Sequence, residues 1–200
     1  LIYIANYEEH NMTMIKRDPS FELKKHLSSN WAKDDAFLTA VLNGLSFCFP
    51  KGEKFFMNSV RAFKEDVRLK DMSEEIRMFC IQEATHTREH IKYNQLLCEL
   101  KGYDLEKLES IFIKSLEKSY TDKVDNKTRL AITTAIEHIT ATMGANILKG
   151  KILKSDNPVV DMWKWHSLEE VEHKSVSHDV YKTINGSNKV LRIVMKLALI

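Results

Sequence analysis

The side chains best suited to chemistry lie in two stretches. Met162 to Tyr181 reads MWKWHSLEEVEHKSVSHDVY and holds His166, Glu170 and His173. Phe79 to Asn94 reads FCIQEATHTREHIKYN and holds Glu83, His86 and His90. Steps of three and four residues put each trio on one face of a helix with about 3.6 residues per turn. Met162, Ser177 and Val180 or Tyr181 continue the first stripe, so its imidazoles and carboxylate should face inward. Two inward Glu-x-x-His segments on separate helices point to a pair of metal ions inside a helical bundle.

Two further carboxylates complete the pattern. Glu137 lies in AITTAIEHITATMGANIL, sharing its face with Thr133, Thr134, Thr140, Ala141 and Gly144. Glu53 shares a face with Phe56 and Met57. Burying a lone carboxylate costs several kcal/mol or forces it to stay protonated, and a cation removes the penalty. Glu53, Glu83, Glu137 and Glu170 bring about four negative charges, matching two divalent ions. His86 and His173 complete six ligands. His166 is expected as a seventh. His90, one turn after His86, is either a further ligand or a hydrogen-bond donor behind one. Competing readings exist: Glu53 as a favourable first-turn acid, and the histidines as core side chains. Glu169 and Glu172 are expected to face water, with acceptance of hydrogen bonds from ligand imidazoles as the alternative, and His138 and His178 to be ordinary helix residues. Tyr93 lies on the His86 and His90 face, where it is either a redox-active neighbour or core packing.

These residues need helices to hold them. Asp34 or Asp35 caps a first helix through Phe37, Leu38, Val41, Leu42, Leu45 and Phe49, and Pro50 is expected to end it and open another, Lys51 to about Arg68. A long helix should run from Ser73 to about Leu100 and stop at Lys101-Gly102. Leu105 to about Tyr120 reads as a crossover helix without ligands. Asp125 or Asn126 caps the helix that ends at Gly150, and Asn157-Pro158 opens one that ends at Asn185-Gly186. The expected organisation is a lead-in over 1–33, extended or partly helical, a bundle over 34–186, and the start of an apolar-basic helix over 187–200.

Composition supports an all-α chain. Among 200 residues there are three Pro and six Gly. Thirty Lys and Arg nearly balance 28 Asp and Glu, and no basic cluster carries interleaved aromatics, which argues against nucleic acid as a partner. Cys48, Cys80 and Cys98 form no C-x-x-C pair, which suits a reducing cytoplasm. No signal peptide or membrane-spanning run is evident. The run Lys189 to Ile200, KVLRIVMKLALI, should pack on the bundle or a partner, with peripheral membrane contact as the alternative. The chain starts without Met and ends inside that run, so it reads as part of something longer. Oligomerisation is left open.

At these motifs the chain resembles the ferritin-like family of predicted metal-dependent hydrolases. The matching pieces are FPKGEKFFMNSVRAF (Phe49 to Phe63), FCIQEATHTREHIKYNQLL (Phe79 to Leu97), AIEHITA (Ala135 to Ala141) and WKWHSLEEVEHKSVSHDVY (Trp163 to Tyr181). The resemblance implies a ferritin-like four-helix bundle with extra N-terminal and crossover helices. The trio His166, Glu170 and His173 is also similar to a helix of the di-iron p-aminobenzoate N-oxygenase, where the third histidine is a metal ligand. The function expected is therefore a di-metal carboxylate enzyme, with iron as the metal, activating O2 to oxidise a small organic substrate. The alternative is a metal-dependent hydrolase in which two ions lower the pKa of a bridging water. Manganese or zinc would suit that reading. No G-x-S-x-G supplies a separate nucleophile.

Overall fold

A computed structural model describes residues 13–119, 124–153 and 157–198, without the side chains of 112, 113 and 115–119. Every regular element among them is helical: α1 (Ala36–Arg61), a 3-10 turn (Val67–Met72), α2 (Ser73–Lys101), α3 (Leu105–Ser119), α4 (Asn126–Leu148), α5 (Pro158–His173), α6 (Val176–Thr183) and α7 (Asn188–Ala198). Helix α1 packs on α2, α2 on α5, α5 on α4 and α4 on α1, closing a four-helix ring, while the crossover helix α3 rests on α1 and α2. The first twelve residues of the expected lead-in, Tyr120, and Leu199 and Ile200 lie outside the described residues.

Most helix ends follow local chemistry. Asp35 accepts from the Leu38 amide, Asp125 from Thr128, and Asn157 from Val159 and Val160 with Pro158 in the first turn. Gly102 closes α2 at φ 68°, a left-handed conformation that glycine adopts without steric cost.

Two boundaries differ from the sequence expectation. Pro50 does not split α1, which runs unbroken from Ala36 to Arg61. A helix-interior proline removes one N–H and leaves the carbonyl four residues back without its helical donor. Here that carbonyl belongs to Ser46, and the Asn94 side-chain amide of α2 donates to it at 3.0 Å. The continuous helix places Glu53 mid-helix, which removes its reading as a first-turn acid. The chain then leaves α1 at Arg61, and Val67 to Arg68 belong to the 3-10 turn. The second difference is a bend directly after His173. Lys174 and Ser175 keep right-handed helical angles but interrupt the expected single helix, which resumes as α6.

Two apolar clusters flank the middle of the bundle. One joins Leu42, Phe49, Tyr93, Leu97, Trp163 and Trp165 to Leu23, Leu27 and Trp31 of the lead-in. The other joins Phe56, Val60, Phe79, Leu130, Val176 and Tyr181, with Val190, Leu191 and Val194 of α7 packed against it. Among the described residues of the lead-in only turns form, one with the Leu27 amide donating to the Leu23 carbonyl at 3.1 Å. No helix among the described residues is long and apolar enough to cross a membrane.

Candidate metal centre

Between the apolar clusters the four ring helices turn their acidic and imidazole side chains inward. Glu53 comes from α1, Glu83 and His86 from α2, Glu137 from α4, and His166, Glu170 and His173 from α5, and all seven are buried. Their ligand atoms form three overlapping groups, each with its atoms within 4.8 Å of one another: Glu53 with His86 and His166, Glu83 with Glu137 and His173, and Glu83 with His86 and Glu170. His173 Nε2 lies 3.3 Å from Glu83 Oε1 and 3.4 Å from Glu137 Oε2. His166 Nε2 lies 2.9 Å from Glu170 Oε1. Glu170 thus stands between the two outer groups.

The cluster tests its own fitness for cations. Buried polar atoms nearly always find a hydrogen-bond partner. Glu53 Oε1, both oxygens of Glu83 and of Glu137, Glu170 Oε2, His86 Nδ1 and His173 Nε2 have none. These eight atoms dominate the buried polar atoms without partners among the described residues. They are carboxylate oxygens and imidazole nitrogens drawn from four helices, and those are atom types that bind metal ions.

Electrostatics point the same way. Burial pushes the carboxyls of Glu53 and Glu83 well above the ordinary carboxylate value, and the carboxylate of Glu137 adds to the push on both. Glu137 is raised by burial and then by Glu170. Burial pushes Glu170 up as well, but His166 and His173 outweigh it and hold the group below its usual value. Burial lowers His86 and, taken alone, His173. For His173 the close carboxylates of Glu137 and Glu83 win, holding it well above the usual imidazole value. Without metal the centre keeps its charge down by holding protons. Metal ions would displace them.

The outer nitrogens of the histidines are each occupied. His86 Nε2 donates to Glu169 Oε2 at 3.1 Å, which turns Nδ1 inward. His173 Nδ1 donates to Gln82 Oε1 at 3.0 Å, and Gln82 Nε2 donates to Glu172 Oε2 at 2.8 Å. His166 Nδ1 faces His90 Nε2 at 2.7 Å. Glu169 and Glu172 therefore do not face water as expected from sequence. Arg17, from the lead-in, explains how they remain buried: it donates to Glu169 Oε1 at 3.1 Å and to Glu172 at 2.8 and 2.6 Å. Burial still raises Glu169 to about 7, against the opposing pull of Arg17 and the Trp165 indole. His90 belongs to none of the three groups and stands behind His166. The Tyr93 hydroxyl donates to Asn43 Oδ1 at 2.5 Å, and its ring meets Trp31 edge-on, away from the carboxylates. His138 is exposed and His178 is half-buried.

Gly144, on the Glu137 face, serves packing. A methyl group on Gly144 would lie 2.9 Å from the Ser167 carbonyl oxygen, so α4 and α5 touch there backbone to backbone. The cavity beside the cluster, bounded by Phe49, Thr140, Trp163 and His166, measures about 10 Å³, room for about one water molecule.

Residues 15–200 match the family model for predicted metal-dependent hydrolases. The chain belongs to that family. The match reaches back beyond the bundle and takes in Arg17, the cation that holds Glu169 and Glu172. No curated protein and no solved structure matches the chain. Membership of a metal-dependent family agrees with the grouped glutamates and histidines.

Proposed function

We propose that this family member holds two iron ions in the Glu/His cluster and is an enzyme that activates O2 to oxidise a small organic substrate. One observation carries the metal reading: the eight partnerless lone-pair atoms converging from four helices. Glu53, His86 and His166 would hold one ion, and Glu83, Glu137 and His173 the other, with Glu170 between them. Mixed carboxylate and imidazole donors suit iron, because carboxylates tolerate changes in oxidation state by shifting between terminal and bridging modes. An iron pair, when bound, supplies the electrons that reduce O2.

The chain's own residues prepare that site. Glu169 and Gln82 hold the outer protons of His86 and His173, so the inward nitrogens keep free lone pairs. Phe49, Trp163 and Trp165 pack against the histidine rings and hold them in place.

A second reading, hydrolysis, is favoured by the description of the family. Zinc or manganese would then replace iron, and water in the cavity beside Thr140 and Glu170 would be the attacking species. Metal analysis after expression in unsupplemented medium separates the two readings. Iron with an optical change on admitting air supports oxidation. Zinc or manganese with air-independent ester cleavage supports hydrolysis. The substrate, the assembly state and any contact of α7 with a membrane surface are independent of this choice.

A further inference from the structure

We propose that Asn94, Ser46 and His90 form a hydrogen-bond relay that fixes the ring proton of His166 on Nδ1 and so turns its Nε2 lone pair to the metal centre. The inference rests on the reading of the cluster as a metal site. The relay follows from counting protons along four contacts.

The relay originates at Pro50. Because Pro50 has no N–H, the Ser46 carbonyl is left for another donor, and Asn94 Nδ2 donates to it at 3.0 Å. That bond fixes which end of the Asn94 amide is which. Its oxygen must then be the atom 2.6 Å from Ser46 Oγ, and an amide oxygen only accepts. The single hydroxyl proton of Ser46 is thereby committed to Asn94. Ser46 Oγ also lies 2.8 Å from His90 Nδ1, and in that contact it has only lone pairs left to offer. His90 must donate from Nδ1. A neutral His90 ring then has a lone pair at Nε2, 2.7 Å from His166 Nδ1, so His166 must donate from Nδ1. The remaining nitrogen of His166, Nε2, lies outside the relay. At 2.9 Å from Glu170 Oε1 it shares a proton with that carboxylate in the metal-free protein, and a bound ion would take its lone pair instead.

The opposite ordering fails at one contact. If His166 carried its proton on Nε2, His90 would donate from Nε2 and accept at Nδ1 from Ser46. Ser46 Oγ and Asn94 Oδ1 would then face each other at 2.6 Å without a proton between them. The Asn94 amide cannot turn to relieve this without abandoning the carbonyl that Pro50 exposes. An unsatisfied buried pair of that kind is strongly disfavoured, because each atom gives up water without gaining a partner. All four relay side chains are buried, so water does not substitute for a missing partner.

Asn94 and Ser46 are thus positioning residues, acting on the centre through His90 and His166. The histidines that face Glu169 and Gln82 have single partners; His166 alone among the three inward histidines is oriented through another imidazole.

The experiment uses zinc, which is diamagnetic, as the probe. Long-range 1H–15N correlation spectra of the zinc-loaded protein locate each ring proton. The expected result is a proton on Nδ1 of both His90 and His166. A proton on Nε2 of His90 overturns the relay. Ser46→Ala should lower zinc affinity about 10–100-fold in one of two binding steps and leave the other unchanged, with His166 no longer held as a single tautomer. Ser46→Cys, a weaker donor of similar size, should give a smaller shift in the same direction. A purely structural role would lower Tm without moving the proton. A folded variant with both affinities and the His166 tautomer unchanged overturns the proposal. If the wild-type protein binds no zinc, the metal reading fails. The His90 proton in the metal-free protein, still expected on Nδ1, then judges the relay by itself.

Discussion

Gly144→Ala tests how closely the metal centre depends on the contact between α4 and α5. The added methyl would stand 2.9 Å from the Ser167 carbonyl oxygen, 3.2 Å from its Cα and 3.3 Å from its Cβ. Two of those atoms are backbone, so no rotamer change relieves the contact. The helices must part by roughly half an ångström to restore ordinary van der Waals separation. Overpacking of this kind costs about 1–3 kcal/mol. Replacing a helix-interior glycine by alanine returns about 1 kcal/mol in helix propensity. The net loss in the metal-free protein is therefore modest, at most about 2 kcal/mol, or about 4–8 °C in Tm for a chain of this size. Metal binding should suffer more. Glu137 lies on α4, two turns from Gly144, while Glu170 and His173 lie on α5. Metal–ligand distances tolerate about 0.2 Å, less than the parting the methyl demands. We expect a competition titration to give at least a tenfold loss of affinity for the second metal ion. Wild-type affinity combined with a raised Tm would refute the reasoning, because it would mean the helices separate without disturbing the centre.

Other outcomes follow from the same geometry. Glu137→Ala should abolish stoichiometric two-metal loading, read by mass spectrometry of bound metal; a folded variant retaining both ions would remove Glu137 from the ligand set. Arg17→Ala strips Glu169 and Glu172 of their shared cation. Since Arg17 is partly exposed, the loss should be about 1–3 kcal/mol in denaturant unfolding rather than the larger cost of a fully buried pair, and no change would mean the strap contributes nothing. The metal-free protein should lose stability as pH rises above 6.5. In that range Glu53, Glu83 and His173 keep protons in the folded state because their values are raised, whereas the unfolded chain has already released them, so folding binds protons and weakens as they become scarce. His86, held low by burial, is neutral in both states there and adds nothing. Metal loading should flatten the slope, and a Tm series in EDTA and in metal would show equal slopes if the reasoning were wrong.

Much of the centre was legible because helical spacing is a strong signal. Glu83 with His86 and Glu170 with His173 each occupy one helix face, and Glu137 sits among small and apolar neighbours that no solvated glutamate needs. The surroundings were harder to read. Glu169 and Glu172 fall off the ligand stripe, and what keeps them buried is Arg17, more than 150 residues away in sequence. Gln82 and Thr87 are neighbours in sequence of recognised positions, but nothing local shows that they contact His173 and Glu53. Pro50 was misleading for a physical reason: it usually ends a helix, and here a side chain from another helix satisfies the carbonyl it exposes. One local signal did exist. Asn94 follows His86 and His90 at steps of four, and Ser46 precedes Pro50 by four, so both relay residues lie on faces already assigned to the core. The bend after His173 has no evident sequence marker, since Lys174 and Ser175 are unremarkable helix residues.

The most direct test of the account is the metal content of protein purified without added metal, followed by an optical spectrum taken without oxygen and again in air. The account predicts about two irons per chain and a band that develops only in air. Protein folded as described but binding no metal in any form would contradict the central claim, because the eight partnerless atoms of the four-helix cluster would then have no cation to serve.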